Sequence, residues 1–88
     1  MKINDFLEKL EENKGKNIIV EVQNGIIKKA TIQQMNYEIK EDELYILSYK
    51  DSDIAVINLN TIRGINENIE NIIIYLEDKK ETQIKIWE

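Results

Sequence analysis

The apolar residues of segment 26–39 change from even to odd positions halfway along it, and this change constrains the fold more than any other feature of the sequence. The even set is Ile26, Ala30 and Ile32, and the odd set is Met35, Tyr37 and Ile39. Consecutive residues of a strand point to opposite faces. The even and the odd set can therefore face one interior only if an irregular residue lies near Gln33 or Gln34. Such an irregularity bends a strand, which predicts a long, strongly bent strand here.

Short isoleucine-rich runs separated by polar turns follow from residue 17 onward. They cover residues 18–23, 26–39, 44–49, 54–59, 72–76 and 82–87. The chain has eighteen isoleucines, whose branched Cβ packs well on a pleated sheet, and no proline to interrupt a strand. Because no crossover helix separates the runs, we predict five to six strands in an antiparallel sheet with local connections.

A helix of about ten residues is predicted at the start of the chain. One apolar stripe is formed at spacings of three and four by Ile3, Phe6, Leu7 and Leu10. Asn4 or Asp5 is expected to cap the first turn, and Gly15 suits the left-handed residue that ends a helix. A helix this short is not stable alone, so we expect its stripe to pack against the sheet.

Asn24-Gly25 predicts a hairpin, since glycine accepts a positive φ. A two-residue loop would pair Val22 with Ile27 and divide the apolar pairs between the two faces. A three-residue loop over 23–25 would pair Val22 with Ile26 and place most apolar residues on one face. We prefer the three-residue loop, because a slip of one residue moves every side chain across the sheet.

These patterns predict an α+β fold in one domain covering residues 1–88: a short N-terminal helix followed by a strongly bent antiparallel sheet. The bent strand favours a small closed barrel, and an open curved sheet with the helix across one face is the alternative. A chain this short gains stability by burying surface against copies of itself. We therefore expect a homo-oligomer.

The chain contains no cysteine and no histidine, which excludes Ser-His-Asp and Cys-His catalysis and zinc sites with thiolate or imidazole ligands. Paired acids stand at Asp51 and Asp53 and at 41–43, in polar stretches where acids are common turn residues. So small a domain offers little room for a substrate cleft. We expect no enzymatic activity, no cofactor, no metal and no small-molecule substrate.

The net charge of -5 works against nonspecific binding to nucleic acid, which depends on clustered lysine and arginine. Five basic residues could still share a face, or the charges could be mixed over the surface; they are Lys14, Lys16, Lys28, Lys29 and Arg63. The longest apolar run, 72–76, is far shorter than the roughly 20 residues that span a bilayer, and no charged-then-apolar leader opens the sequence. We expect a cytoplasmic protein without membrane contact.

The segment Ile62-Arg63-Gly64, followed by Asn66 and Asn68-Ile69, resembles the second motif of Sm-like proteins, the small barrels that include the Hfq-type RNA chaperones. The helix, the hairpin and the bent strand resemble the same family. Ala30, Asn36 and Lys40 depart from its first motif, and the run 82–87 continues past its usual last strand. The resemblance implies a ring of subunits that binds single-stranded RNA rich in uridine or adenine, with Arg63, Gly64 and Asn36 as contact residues.

A protein-interaction or regulatory role is the alternative function. Its candidate interface residues are Tyr45, Leu47, Tyr49, Tyr75 and Trp87. Tyr45, Leu47 and Tyr49 are predicted on the strand face opposite Leu44 and Ile46, and a half-exposed tyrosine pair is typical of a protein contact surface. In the sequence, no basic residues interleave with these aromatic residues in the pattern of an RNA-recognition strand.

Overall fold

The computed structural model describes residues 1–24, 26–49, 53–69, 71–77 and 83–87. These residues form an α+β fold with helix α1 (Ile3–Glu12) and eight strands in two antiparallel sheets. The strands are β1 (Ile18–Asn24), β2 (Ile26–Ile32), β3 (Asn36–Lys40), β4 (Glu43–Leu47), β5 (Asp53–Asn58), β6 (Ile62–Glu67), β7 (Asn71–Leu76) and β8 (Gln83–Trp87). The five-stranded sheet has the order β2-β1-β8-β7-β6, and the three-stranded sheet has the order β3-β4-β5. Gly25, Asp51 and Thr82, which carried predictions, lie outside the described residues.

Helix α1 is confirmed, and it buries the predicted stripe at Phe6 and Leu10. The cap prediction is wrong: the helix begins one residue before Asn4, its N-cap is Lys2, and no side chain caps it. Gly15 has the predicted positive φ of 87°, and its N–H donates to the Met35 carbonyl at 2.7 Å. The end of the helix is therefore held against the start of β3.

The predicted irregularity between Ile32 and Met35 is confirmed, and it separates two strands rather than bending one. β2 ends at Ile32 in the five-stranded sheet, β3 starts in the three-stranded sheet, and Gln34 between them has a φ of 49°. Ile32 and Met35 are both fully buried. The backbone N–H of Gln34 donates to Asn17 Oδ1 at 3.0 Å, which fixes the corner.

The predicted hairpin registers are both wrong. β1 continues through Asn24, and the pairs are Ile18 with Ile32, Val20 with Ala30, and Val22 with Lys28. The register is displaced by two residues from the preferred one, so each side chain keeps its face. The observed register places buried Ile18 opposite buried Ile32, whereas the predicted one would have placed it opposite Ala30.

Strand β6 was not among the predicted runs, which left residues 60–71 outside any strand. Its two inward isoleucines, Ile62 and Ile65, are three residues apart and break the alternation of a regular strand. A register shift between Ile62 and Gly64 accounts for this spacing, since it lets both isoleucines pair with core residues of β7. The interior between the two sheets is then lined from β6 as well.

The core joins α1 to the inner faces of both sheets. Its largest fully buried side chains are Phe6, Ile18, Ile32, Met35, Leu44, Ile46, Ile57 and Ile74. In the part of the chain that the structure describes, no helix is both long enough and apolar enough to cross a membrane.

Candidate functional site

Three of the predicted interface residues come from β4 and the residues after it, and two of them lie on the outer face of the three-stranded sheet. Leu44 and Ile46 point into the core, so Tyr45 and Leu47 point outward and are half-buried. Val56, 48% exposed, stands directly opposite Tyr45 on β5. We call Tyr45, Leu47 and Val56 the tyrosine face. Tyr49 lies beyond β4, where its N–H donates to the Gln33 carbonyl at 3.3 Å.

Charged residues from β3 and β4 form a rim around the tyrosine face. The Tyr45 hydroxyl donates to Glu43 Oε2 at 3.0 Å, and Lys40 Nζ lies 5.9 Å from the centre of the Tyr45 ring. Lys40 Nζ is also 3.7 Å from Glu38 Oε2. An apolar centre with a charged, solvated rim is the usual anatomy of a protein interface.

Tyr75 and Trp87 lie on a different surface, the outer face of the five-stranded sheet. Cross-strand pairing places Lys29, Glu21 and Lys85 in one row beside them. Lys29 Nζ lies 5.0 Å from the centre of the Trp87 ring, and Lys85 Nζ is 3.9 Å from Glu21 Oε2. We call these five residues the tryptophan face.

The tryptophan face corrects the prediction that no basic residues interleave with the aromatic ones. Lys85 precedes Trp87 by two residues on one strand, and this spacing alone places both on one face. That signal was present in the sequence and was missed. The spacing of residues along the sequence could not have shown that Lys29 lies near Trp87, because the two residues are brought together by the strand order β2-β1-β8. The row carries one surplus positive charge in a protein of net charge -5.

The residues that the Sm-like resemblance implies for RNA contact lie in two different sheets. Arg63 and Gly64 are on β6, an edge of the five-stranded sheet, whereas Asn36 is on β3. Asn36 Oδ1 accepts a hydrogen bond from the Tyr37 N–H at 2.8 Å. A Cβ added at Gly64 would meet no atom within 4 Å, and its φ is not in the left-handed region. This chain therefore tolerates a side chain at Gly64.

A cleft of about 480 Å³ lies between α1 and the end of the β6–β7 pair. Phe6, Leu10 and Ile72 line its apolar side, and the Lys9 Nζ to Glu67 Oε1 contact of 3.7 Å stands at its rim. Ile69 also lines the cleft and is fully exposed. The described residues at its rim include a paired Lys9 and Glu67, and its floor is largely core, so the described lining offers no group that selects a ligand.

Tyr37 links the helix to the three-stranded sheet. Its hydroxyl donates to Glu11 Oε2 at 2.7 Å, and Lys14 Nζ lies 5.5 Å from the centre of its ring. The hydrogen bond to the Glu11 carboxylate, with smaller contributions from desolvation and from the negative charge of Glu11, raises the pKa of Tyr37. The hydrogen bond joins the last turn of α1 to β3.

No protein-family model, curated protein or solved structure matches this chain. The Sm-like resemblance at Arg63-Gly64 therefore stays a prediction.

Proposed function

We propose that this protein is a non-enzymatic protein-interaction module that associates with a second copy of itself through the tyrosine face. The observation that carries the proposal is the pair of exposed Val56 and half-buried Tyr45, beside Leu47, on a sheet whose inner face already holds Leu44 and Ile46 in the core. A sheet that carries apolar side chains on both faces is stabilised further when its second face is also removed from water.

The rim of the tyrosine face can match itself across a two-fold axis. In such an interface the same patch of each copy meets the other, so Lys40 of one copy can approach Glu38 or Glu43 of the second. Rim charges of both signs lie next to each other, since Lys40 pairs directly with Glu43 across the ladder. Complementary rim charges favour one docking orientation over others.

The size of the sheet limits the strength of this association. Three strands of five or six residues span roughly 14 Å by 17–20 Å, a flat area of roughly 240–290 Å². A standard stable interface buries about 800 Å² per partner. Because binding also costs freedom of motion, we expect a weak dimer with a dissociation constant above about 1 μM.

Sedimentation velocity between about 10 μM and about 1 mM tests the proposal. Val56→Glu places a charge in the centre of the tyrosine face without touching the core, and we expect it to abolish association. Ile27→Glu is the matched control. Ile27, like Val56, is a β-branched apolar residue on a strand, and its side chain is 61% exposed. A wild-type monomer throughout, or association lost in Ile27→Glu and kept in Val56→Glu, would contradict the proposal.

For the fold, we propose that the two sheets curl into a small Sm-like or SH3-like barrel. The support is the corner at Gln34, which carries the chain from one sheet into the other while Ile32 and Met35 both stay buried. Backbone Overhauser contacts between β6 and an edge strand of the three-stranded sheet, β3 or β5, test the proposal, because they form only if the two sheets meet along an edge. Their absence would favour the open curved sheet.

Single-stranded RNA is the second candidate ligand, and the tryptophan face favours it. Lysines next to an aromatic ring combine attraction for phosphate with a platform for base stacking. Binding of uridine- and adenine-rich oligonucleotides at low salt, compared among wild type, Lys29→Glu and Arg63→Ala, tests it. Loss in Lys29→Glu locates RNA on this face, loss in Arg63→Ala supports the Sm-like site, and no binding by the wild type removes the candidate.

A further inference from the structure

Strand β2 is an edge strand whose residues are open to solvent on both sides of the sheet. Among the described strands it pairs only with β1. Every residue from Ile26 to Thr31 is exposed, and Ile26 and Ile27 are 71% and 61% exposed. Consecutive residues of a strand point to opposite faces, so both faces of β2 extend beyond the part that the core covers. Only Ile32, at its end, is buried.

The exposed part of β2 carries two adjacent lysines. Lys28 and Lys29 point to opposite faces, and among the described residues neither has a carboxylate partner. Glu21, which stands opposite Lys29, pairs with Lys85 instead. Among the described residues, Lys28 and Lys29 thus place one positive charge without a carboxylate partner on each face of the sheet beside this edge, and Lys29 Nζ lies 5.0 Å from the centre of the Trp87 ring.

The two lysines argue against pairing of β2 with β2 of a second copy. An antiparallel pair of two β2 strands in full overlap, with Ile26 opposite Ile32, places Lys29 opposite Lys29. A shift by one residue toward Ile26 places Lys28 opposite Lys29 twice, and a shift by two residues in that direction places Lys28 opposite Lys28. Like charges directly opposite each other destabilise a strand pair, and lysine on an edge is a known means of preventing self-pairing.

We propose that β2 binds an extended acidic segment of another protein by strand addition. An edge strand offers unpaired N–H and C=O groups, and a peptide backbone can satisfy both, whereas a phosphate backbone has no donor for the C=O groups. The geometry selects two consecutive acidic residues, one opposite each of Lys28 and Lys29. It also selects apolar residues opposite Ile26 and Ile27, whose exposed side chains would then be covered. This edge is separate from the tyrosine face, so one copy can use both.

Fluorescence anisotropy with short labelled peptides tests the proposal. The probe has two central glutamates flanked by pairs of valines, and the matched probe has lysines in place of the glutamates. We expect wild-type protein to bind the glutamate probe more tightly than the lysine probe. The double variant Lys28→Glu with Lys29→Glu should bind the glutamate probe at least about tenfold more weakly than wild type does, and it should bind the lysine probe more tightly than the glutamate probe. Lys2→Glu with Lys16→Glu is the charge-matched control, since both lysines are exposed and lie outside β2, and it should bind as wild type does.

An N-methylated glutamate probe separates strand addition from simple charge attraction. It keeps the side chains but lacks backbone N–H donors, so we expect it to bind at least about tenfold more weakly. Amide chemical-shift changes should be confined to β2 and its neighbour β1. Equal binding of the two glutamate probes, unchanged binding by the double variant, or shift changes centred on Val56 would overturn the proposal. The sedimentation result for Val56→Glu is independent, so the two proposals can fail separately.

Discussion

Replacing Gln34 by glycine should stabilise the protein, although it removes a side chain from a corner of the fold. Gln34 has a φ of 49°, and its side chain is exposed. The left-handed region brings the Cβ of an L-residue close to the following carbonyl oxygen, which glycine avoids. The hydrogen bond from its N–H to Asn17 Oδ1 uses the backbone, so Gln34→Gly keeps it.

The size of the effect follows from two opposing contributions. A residue other than glycine in the left-handed region costs roughly 1–2 kcal/mol, which the substitution recovers. Glycine loses more backbone freedom on folding, which costs roughly 0.5–1 kcal/mol. We therefore expect a net stabilisation of about 0.7 kcal/mol. For a domain of this size, about 1 kcal/mol moves Tm by about 4–8 °C, so Tm should rise by about 3–5 °C.

Gln33→Gly is the matched control, because Gln33 is the neighbouring glutamine, is also exposed, and has no positive φ. It pays only the entropic cost, so its Tm should fall by about 3–6 °C. Thermal unfolding followed by far-ultraviolet circular dichroism compares the two variants. If Gln34→Gly lowered Tm as much as Gln33→Gly does, Gln34 would not be the residue at which the chain turns from β2 into β3.

Two further predictions concern contacts of the helix. Phe6→Ala should lower the free energy of unfolding by about 3–5 kcal/mol, because Phe6 is fully buried. Ile26→Ala is the control and should change the free energy of unfolding by at most about 0.5 kcal/mol, because Ile26 is exposed. Urea unfolding measures both changes. Tyr37→Phe should destabilise the protein near neutral pH. The raised pKa of Tyr37 means that its contribution is complete below the ordinary value of 10.0 and is lost as pH rises through the folded-state pKa, so unfolding curves of wild type and variant should converge in strong alkali.

Local periodicity was enough to predict the helix and the corner between β2 and β3. The stripe that includes Phe6 and Leu10 has helical spacing, and the parity change before Met35 demanded an irregular residue. Both signals arise from side chains within a few residues of each other, which must share the same interior. In the structure, one strand ends and another begins at the parity change, because β2 pairs with β1 in one sheet and β3 pairs with β4 in the other.

Long-range pairing was not readable from the sequence, and this limited what could be predicted of the candidate site. Alternation placed Tyr45 and Leu47 on one face, as the structure does. The same rule could not say that Val56 would stand opposite Tyr45, nor that Tyr75 and Trp87 would lie on a separate sheet. Such placements depend on which strands pair and in what register, and a single chain carries only weak information on either.

Strand β8 limits how far the Sm-like resemblance can extend in this protein. The run at 82–87 was the part of the chain that continued past the family's usual last strand. In the structure it is a central strand, since β8 pairs with β1 on one side and with β7 on the other. Its position leaves β2 and β6 as the edges of the five-stranded sheet.

These two edges differ in how accessible they are. On β6, which carries Arg63 and Gly64, the amino group of Met1 donates to the Ile65 carbonyl at 3.2 Å, so the start of the chain already occupies part of that edge. On β2, every residue before Ile32 is exposed. An incoming strand would have to displace Met1 to reach that part of β6, whereas on β2 the described strands leave the side away from β1 unpaired. If the five-stranded sheet takes a partner by its edge, β2 is therefore the edge that the structure favours.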